Sequence, residues 1–127
     1  MNTSTEHCPC NTGLMFNDCC APYLAGKAAS TAEALIRSRY TAYVLKDAAY
    51  LLSTWHASTR PALLDLVTDD ARWLGLKVVK HEHFDKHRAI VEFVARYKVA
   101  GKAARLHETS QFIFENGYWF YVDGELE

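Results

Sequence analysis

The chain has 127 residues, is 50% hydrophobic and 13% aromatic, and carries a formal net charge of -1. That length allows one main domain with at most a small appendage, and that composition excludes a disordered chain. The balanced charge excludes, in the totals, the basic footprint of a nucleic-acid or anionic-membrane binder.

Residues 1–29 read as loop and hold all four cysteines. Residues 1–7 are polar and lack the basic start and apolar core of a signal peptide. No apolar run approaches the roughly 18 residues needed to span a bilayer. A cytoplasmic protein is therefore expected, whose thiols stay reduced, so that clustered cysteines are read as metal ligands rather than disulfides.

Helical signals follow. Ser30-Thr31-Ala32-Glu33 forms a capping-box pattern with Ser30 as cap, and Leu35, Ile36, Tyr40, Tyr43 and Val44 then stack on one helical face. Residues 48–55 read as a second short helix with Tyr50, Leu51, Leu52 and Trp55 apolar. A third is expected after Ser58 or Thr59, with Pro61 in its first turn and Leu63, Leu64, Leu66 and Val67 facing the core.

From Arg72 the period changes to two. Residues 73–79 read as a strand. Val91, Phe93, Ala95, Tyr97 and Val99 alternate with more polar neighbours, and Leu106, Glu108, Ser110, Phe112 and Phe114 share one side of a third strand. Gly101 marks a turn, Asn116-Gly117 is a strong hairpin signal, residues 119–122 form the return strand, and Asp123-Gly124 ends it. Helices followed by a meander of about four strands predict an α+β domain, its bent sheet wrapped around the helices so as to leave a conical cavity. The expected division is a knuckle over residues 1–28 and the α+β domain over 29–127.

The cysteines Cys8, Cys10, Cys19 and Cys20 stand in the pattern C-x-C-x8-C-C. Four thiolates complete the tetrahedral shell of zinc and leave no position for water or substrate, which points to one structural zinc ion. Incidental burial does not explain why all four fall within thirteen residues and none elsewhere. A redox role would require a strained bond between the adjacent Cys19 and Cys20. An iron–sulfur cluster uses the same ligands at different spacing. Gly13 supplies a positive φ in the connecting loop, and Phe16 is placed to cover the sulfurs. Without metal, residues 1–25 have too little apolar mass to hold a shape.

This cysteine pattern, with Pro9, Gly13, Phe16 and Tyr23, resembles the SEC-C zinc motif found in the tail of the SecA preprotein-translocase motor, where it binds zinc, the export chaperone SecB and, by implication, ribosomes. Further blocks, at 35–40, 50–55, 107–112 and 119–124, make almost the whole chain similar to the YchJ-like family of uncharacterised bacterial proteins. The resemblance implies a nuclear-transport-factor-two-like (cystatin-like) cone behind the knuckle, and zinc on Cys8, Cys10, Cys19 and Cys20. Asn11-Thr12-Gly13 departs from the commoner Gly-Ser-Gly of that loop. Many relatives carry a second, C-terminal cysteine motif, which this sequence lacks.

The polar residues among the core-facing aromatics are candidates to line the cone: Arg37, His56, Trp73, Glu108, Ser110 and Trp119. A desolvated Glu108 suits a general base with His56 as its partner, but a buried Glu more simply pairs with Arg37 or Arg39, only one of which is expected inside. His81 and His83 share a strand face and, with His87, could hold a metal, though solvation is the simpler reading. No reaction is named by these residues. The primary expectation is a binding or adaptor protein that presents its knuckle to a protein partner, a chaperone or the ribosome, with the cone adding a second surface or a homodimer interface. The alternative is a small-molecule binder or enzyme that uses the cone cavity. Nucleic-acid binding by the knuckle is not expected, because residues 1–25 contain no Lys or Arg to release counterions.

Overall fold

A computed structural model describes residues 6–66 and 70–127. The knuckle begins with a bridge between His7 and Met15, passes through a 3-10 turn at Phe16–Asp18 and ends in a short helix α1 (Ala21–Leu24). Helix α2 (Ala32–Leu45) follows. Its cap is Thr31, whose side chain accepts from the Ala34 amide at 3.0 Å, one residue later than the sequence pattern indicates. Glu33, released from a capping role, pairs instead with Arg37 one turn on at 3.1 Å. Helix α3 (Ala48–Ser53) is capped by Asp47, which accepts from the Tyr50 amide at 3.0 Å.

The expected third helix after Ser58 or Thr59 is absent from the described residues. The Thr59 and Arg60 amides both bond back to His56 O, closing a turn, and the Thr59 hydroxyl donates to Val122 O at 2.6 Å, fastening the segment to the sheet. Leu66 is buried beside Ala42 and Leu51 with Leu64 against it, Leu63 is exposed, and Val67 lies outside the described residues.

Strands β1 (Arg72–His83), β2 (Arg88–Val99), β3 (Lys102–Glu115) and β4 (Tyr118–Leu126) form an antiparallel meander in the order β1-β2-β3-β4. The tight turns fall where positive φ is available: Ala100 and Gly101 at 52° and 80°, Asn116 and Gly117 at 54° and 85°, the signs a two-residue hairpin loop needs. Register shifts at Trp73/Gly75 and Val78/Lys80 in β1, and at Gln111/Phe112 in β3, bend the sheet. β4 runs on past Asp123-Gly124 to Leu126. The sheet wraps α2, and the core lies between them, with Leu35, Ile36 and Tyr40 meeting Leu76, Val91, Phe93, Phe112 and Trp119. No helix among the described residues is long and apolar enough to cross a membrane.

Candidate metal centre and cone cavity

The knuckle turn brings the four sulfurs together. Asn11 and Gly13 take φ values of 65° and 89°, and the Cys8 amide bonds to Leu14 O at 2.8 Å. This folds Cys8 and Cys10 back over the pair that precedes α1. The four Sγ atoms lie within 4.8 Å of one another, with Cys10 to Cys19 at 3.5 Å and Cys19 to Cys20 at 3.9 Å. Sulfurs around a tetrahedral ion with bonds of about 2.3 Å stand about 3.8 Å apart, so the spacing fits a single metal ion. None of the cysteines is in a disulfide.

Hydroxyls and a guanidinium surround this set. Thr41 Oγ1 on α2 donates to Cys20 Sγ at 3.3 Å and lies 3.7 Å from Cys8 Sγ. Thr12 Oγ1 lies 3.1 Å from Cys19 Sγ. Arg37 Nη1 donates to Cys10 O at 2.8 Å. Such groups orient thiolates and share their charge. Crowding also divides the thiol protons unequally. Hydrogen bonds from Cys10 and Cys20 hold the Cys8 thiol far below its ordinary range. The same contacts with Cys10 and Cys8, followed by burial, push Cys20 up. Burial above all pushes Cys19 up to about 11. Phe16 and Tyr23 pack against the cysteine end of the core.

A second feature is a cavity of about 250 Å³ between α2 and the concave face of the sheet, lined by aromatic rings together with Arg39 and Glu108. Of the sequence-derived candidates, Trp73 and Glu108 line it. Ser110 is buried behind the wall and donates to Glu108 Oε2 at 2.6 Å. The other three lie elsewhere. Arg37 belongs to the knuckle, because its position turns it toward Cys10. His56 sits where the chain leaves α3, its Nε2 3.3 Å from Glu115 Oε2 and its Nδ1 2.7 Å from Ser58 Oγ, so it is no proton-transfer partner for Glu108. Trp119 packs on Phe114 and His83, with centroids 5.2 and 5.1 Å apart.

The buried arginine is Arg39, and it does not pair with Glu108: no ion pair joins them within 4.0 Å. Its Nη1 is drawn instead to Leu51 O and Thr54 Oγ1, both at 2.8 Å. Its guanidinium lies over the rings of Tyr121 at 4.5 Å and Trp55 at 5.1 Å. Burial lowers its pKa from the ordinary value. Burial likewise raises Tyr40 and Tyr121 to about 12, so both phenols keep their protons at neutral pH. Helical phase could have found Arg39, which lies four residues after Leu35, three after Ile36 and four before Tyr43, while Arg37 falls off that stripe. Gly124, which the sequence reads only as the end of the last strand, also bears on the cavity. It pairs with Ser110 across the ladder, and a Cβ there would collide with the Glu108 carboxylate.

His81 and His83 do share a face, with their Nε2 atoms 2.8 Å apart. Burial, and then His83, lower the His81 pKa. Glu92, His107 and Glu127 bring three ligand atoms within 4.8 Å of one another, a cluster the sequence reading did not anticipate.

Comparison with known proteins gives the family of the chain. Residues 31–124 match the family profile described as "YchJ, middle NTF2-like domain". The chain belongs to the YchJ-like UPF0225 family. It is 52% identical to the UPF0225 protein RSc0270 of Ralstonia nicotianae, over 96% of this chain and 92% of that one. It is 57% identical to a UPF0225 protein of Polaromonas naphthalenivorans, over 88% and 82%. Its fold resembles the solution structure of RPA3114, a SEC-C motif containing protein from Rhodopseudomonas palustris, with a TM-score of 0.84 and 37% identity over 93% of this chain and 96% of that one. It also resembles the crystal structure of a SEC-C motif containing protein from Psychrobacter arcticus, with a TM-score of 0.83 and 32% identity over 100% and 86%. The YchJ-like family thus combines a SEC-C cysteine cluster with an NTF2-like α+β cone.

Proposed function

We propose that this protein is a zinc-stabilised binding protein of the cytoplasm, in which a closed four-thiolate zinc site on Cys8, Cys10, Cys19 and Cys20 fixes the knuckle to α2 and the cone cavity receives a small ligand. Zinc suits the donor set because four thiolates favour it over oxygen-seeking cations and fill its shell, which assigns the metal to structure. The observation that carries the ligand reading is a buried cation and a half-buried carboxylate, Arg39 and Glu108, that line one largely aromatic cavity without joining. A structural ion pair would have closed that gap, and a buried cation left without a joined counter-charge is costly unless something else satisfies it. The test is a titration of the zinc-loaded chain with one-ring probes, phenol first, followed by NMR. Shifts confined to Trp73, Tyr121 and their neighbours support the reading. A probe series that moves only surface residues, or none, removes it.

A second reading is favoured by the exposed Leu14 and Met15 at the knuckle rim. In it the knuckle presents these apolar side chains to a protein partner, a chaperone or the ribosome, with homodimerisation through the cone as a further possibility. Capture of a partner by the intact protein, lost in a Leu14→Ser, Met15→Ser double variant that still holds its metal, supports it. Equal capture by both proteins contradicts it.

A further inference from the structure

The cavity's contents follow from what its two charge-bearing residues lack, an inference that rests on the ligand reading above. A guanidinium has five N–H donors. In Arg39 the guanidinium carbon lies over the near-perpendicular rings of Tyr121 and Trp55, and Nη1 is held by Leu51 O and Thr54 Oγ1. Neither Nε nor Nη2 has an acceptor among the described residues, where Trp55 Nε1 is the one side-chain nitrogen both sealed and unpartnered, so these two Arg39 donors are reached from open space. The side chain is thus locked in orientation by one edge while the other donors remain unused. Two parallel N–H groups on a fixed plane match a carboxylate better than any neutral acceptor.

Glu108 has the opposite need. Its Oε2 accepts from Ser110, and its Oε1 has no donor among the described residues. Gly124 leaves the space in which this carboxylate lies. The remaining wall is apolar, aliphatic at Ile36, Ala95 and Leu106 and otherwise aromatic, with the Trp73 centroid 5.8 Å from Tyr40 and 6.1 Å from Tyr43. Aromatic walls of this kind favour a flat ring. Size sets the last limit. At about 250 Å³ the space exceeds the ~150 Å³ that holds a benzene and falls short of the roughly 300–1,000 Å³ of drug-sized sites.

We infer that the cone cavity binds a one-ring aromatic carboxylate that also carries a hydroxyl or amino donor, its carboxylate against Arg39 and its donor against Glu108. The Arg39 charge offsets that of the ligand, and Glu108 shares its own between Ser110 and the ligand donor. Trp73 and the tyrosines hold the ring, so recognition is of a bifunctional ring and not of an anion alone.

The experiment is titration of the full-length, zinc-loaded protein with 4-hydroxybenzoate, 3-hydroxybenzoate, benzoate and phenol up to ~10 mM, read by tryptophan fluorescence and by NMR shifts of Trp73 and Tyr121. A hydroxybenzoate is expected to bind more tightly than either benzoate or phenol. Arg39→Lys should weaken it about 10- to 100-fold, the scale of a lost charge-assisted pair. Glu108→Gln should bind benzoate no more weakly than the unaltered protein does and erase most of the preference for the hydroxylated ring. Phenol binding as tightly as the carboxylates, or an unaltered affinity in Arg39→Lys, overturns the carboxylate assignment while leaving the cavity as a ligand site. Failure of all four probes to move Trp73 or Tyr121 overturns both. If Arg39→Lys does not fold, the ranking of the four probes on the unaltered protein decides the matter by itself.

Discussion

In the cone, Phe112, Leu35 and Val91 are sealed from solvent in one apolar cluster, whereas from residue 6 to residue 25 only Cys8, Cys10 and Cys20 are buried. One region is closed by apolar packing between a helix and a sheet. The other is closed by sulfur, with its backbone turned through positive φ at Asn11 and Gly13. The two meet at Thr41, which belongs to a cone helix and touches two of the sulfurs. Stability in the first should therefore answer to volume, and in the second to metal.

The largest effect expected is on the knuckle. Removing zinc with a chelator withdraws about 10–16 kcal/mol of binding free energy from a segment with little core of its own. Amide exchange over residues 6–25 should become fast while β2 and β3 stay protected. A comparable effect in the opposite region comes from Phe112→Ala, a truncation inside the cone that should cost about 3–5 kcal/mol in denaturant unfolding and leave metal stoichiometry unchanged. If that variant lost its metal at the same time, the two regions would be one cooperative unit. At the junction, Thr41→Val keeps the shape and removes the hydroxyl. Metal affinity should fall about 10- to 100-fold in a competition titration, with much less change in the unfolding of the sheet. The smallest effect is at the α2 cap: Thr31→Ala should cost about 1 kcal/mol, whereas Ser30→Ala should cost almost nothing.

Proton release offers a further way to separate the regions. The Cys19 and Cys20 thiols are held above the ordinary range before metal arrives, so both are protonated at neutral pH and must lose protons on binding. Metal affinity should consequently rise as pH rises across the neutral range and fall as it drops. Competition titrations at pH 6, 7 and 8 with a calibrated chelator would read this, and a flat profile would contradict thiolate ligation by these two residues.

Most of this architecture was legible because its signals are local. The cysteine spacing, the alternation from Val91 to Val99 and the Asn116-Gly117 turn each depend on neighbours a few residues away. The segment after Ser58 misled because Leu63, Leu64 and Leu66 look like a helix face, but the decisive bonds run to His56 O and Val122 O, and the latter partner is distant in sequence. Glu108 and Trp73 were found because strand alternation fixes their side. Choosing between Arg37 and Arg39 needed the helical phase to be followed through a charged residue, since an arginine on an apolar stripe is easily read as an interruption. The absence of an Arg39–Glu108 bond is beyond any sequence pattern, because it follows from where the end of α3 presents Leu51 O and Thr54.

The most direct test of this division is a single pair of heteronuclear spectra, recorded on protein shown by elemental analysis to hold one zinc ion per chain and again after the metal has been stripped. Collapse of the resonances of residues 6–25 with the β2 and β3 resonances kept is the expected result. A stripped protein whose knuckle resonances stay dispersed, or a purified protein with no stoichiometric zinc, would contradict it.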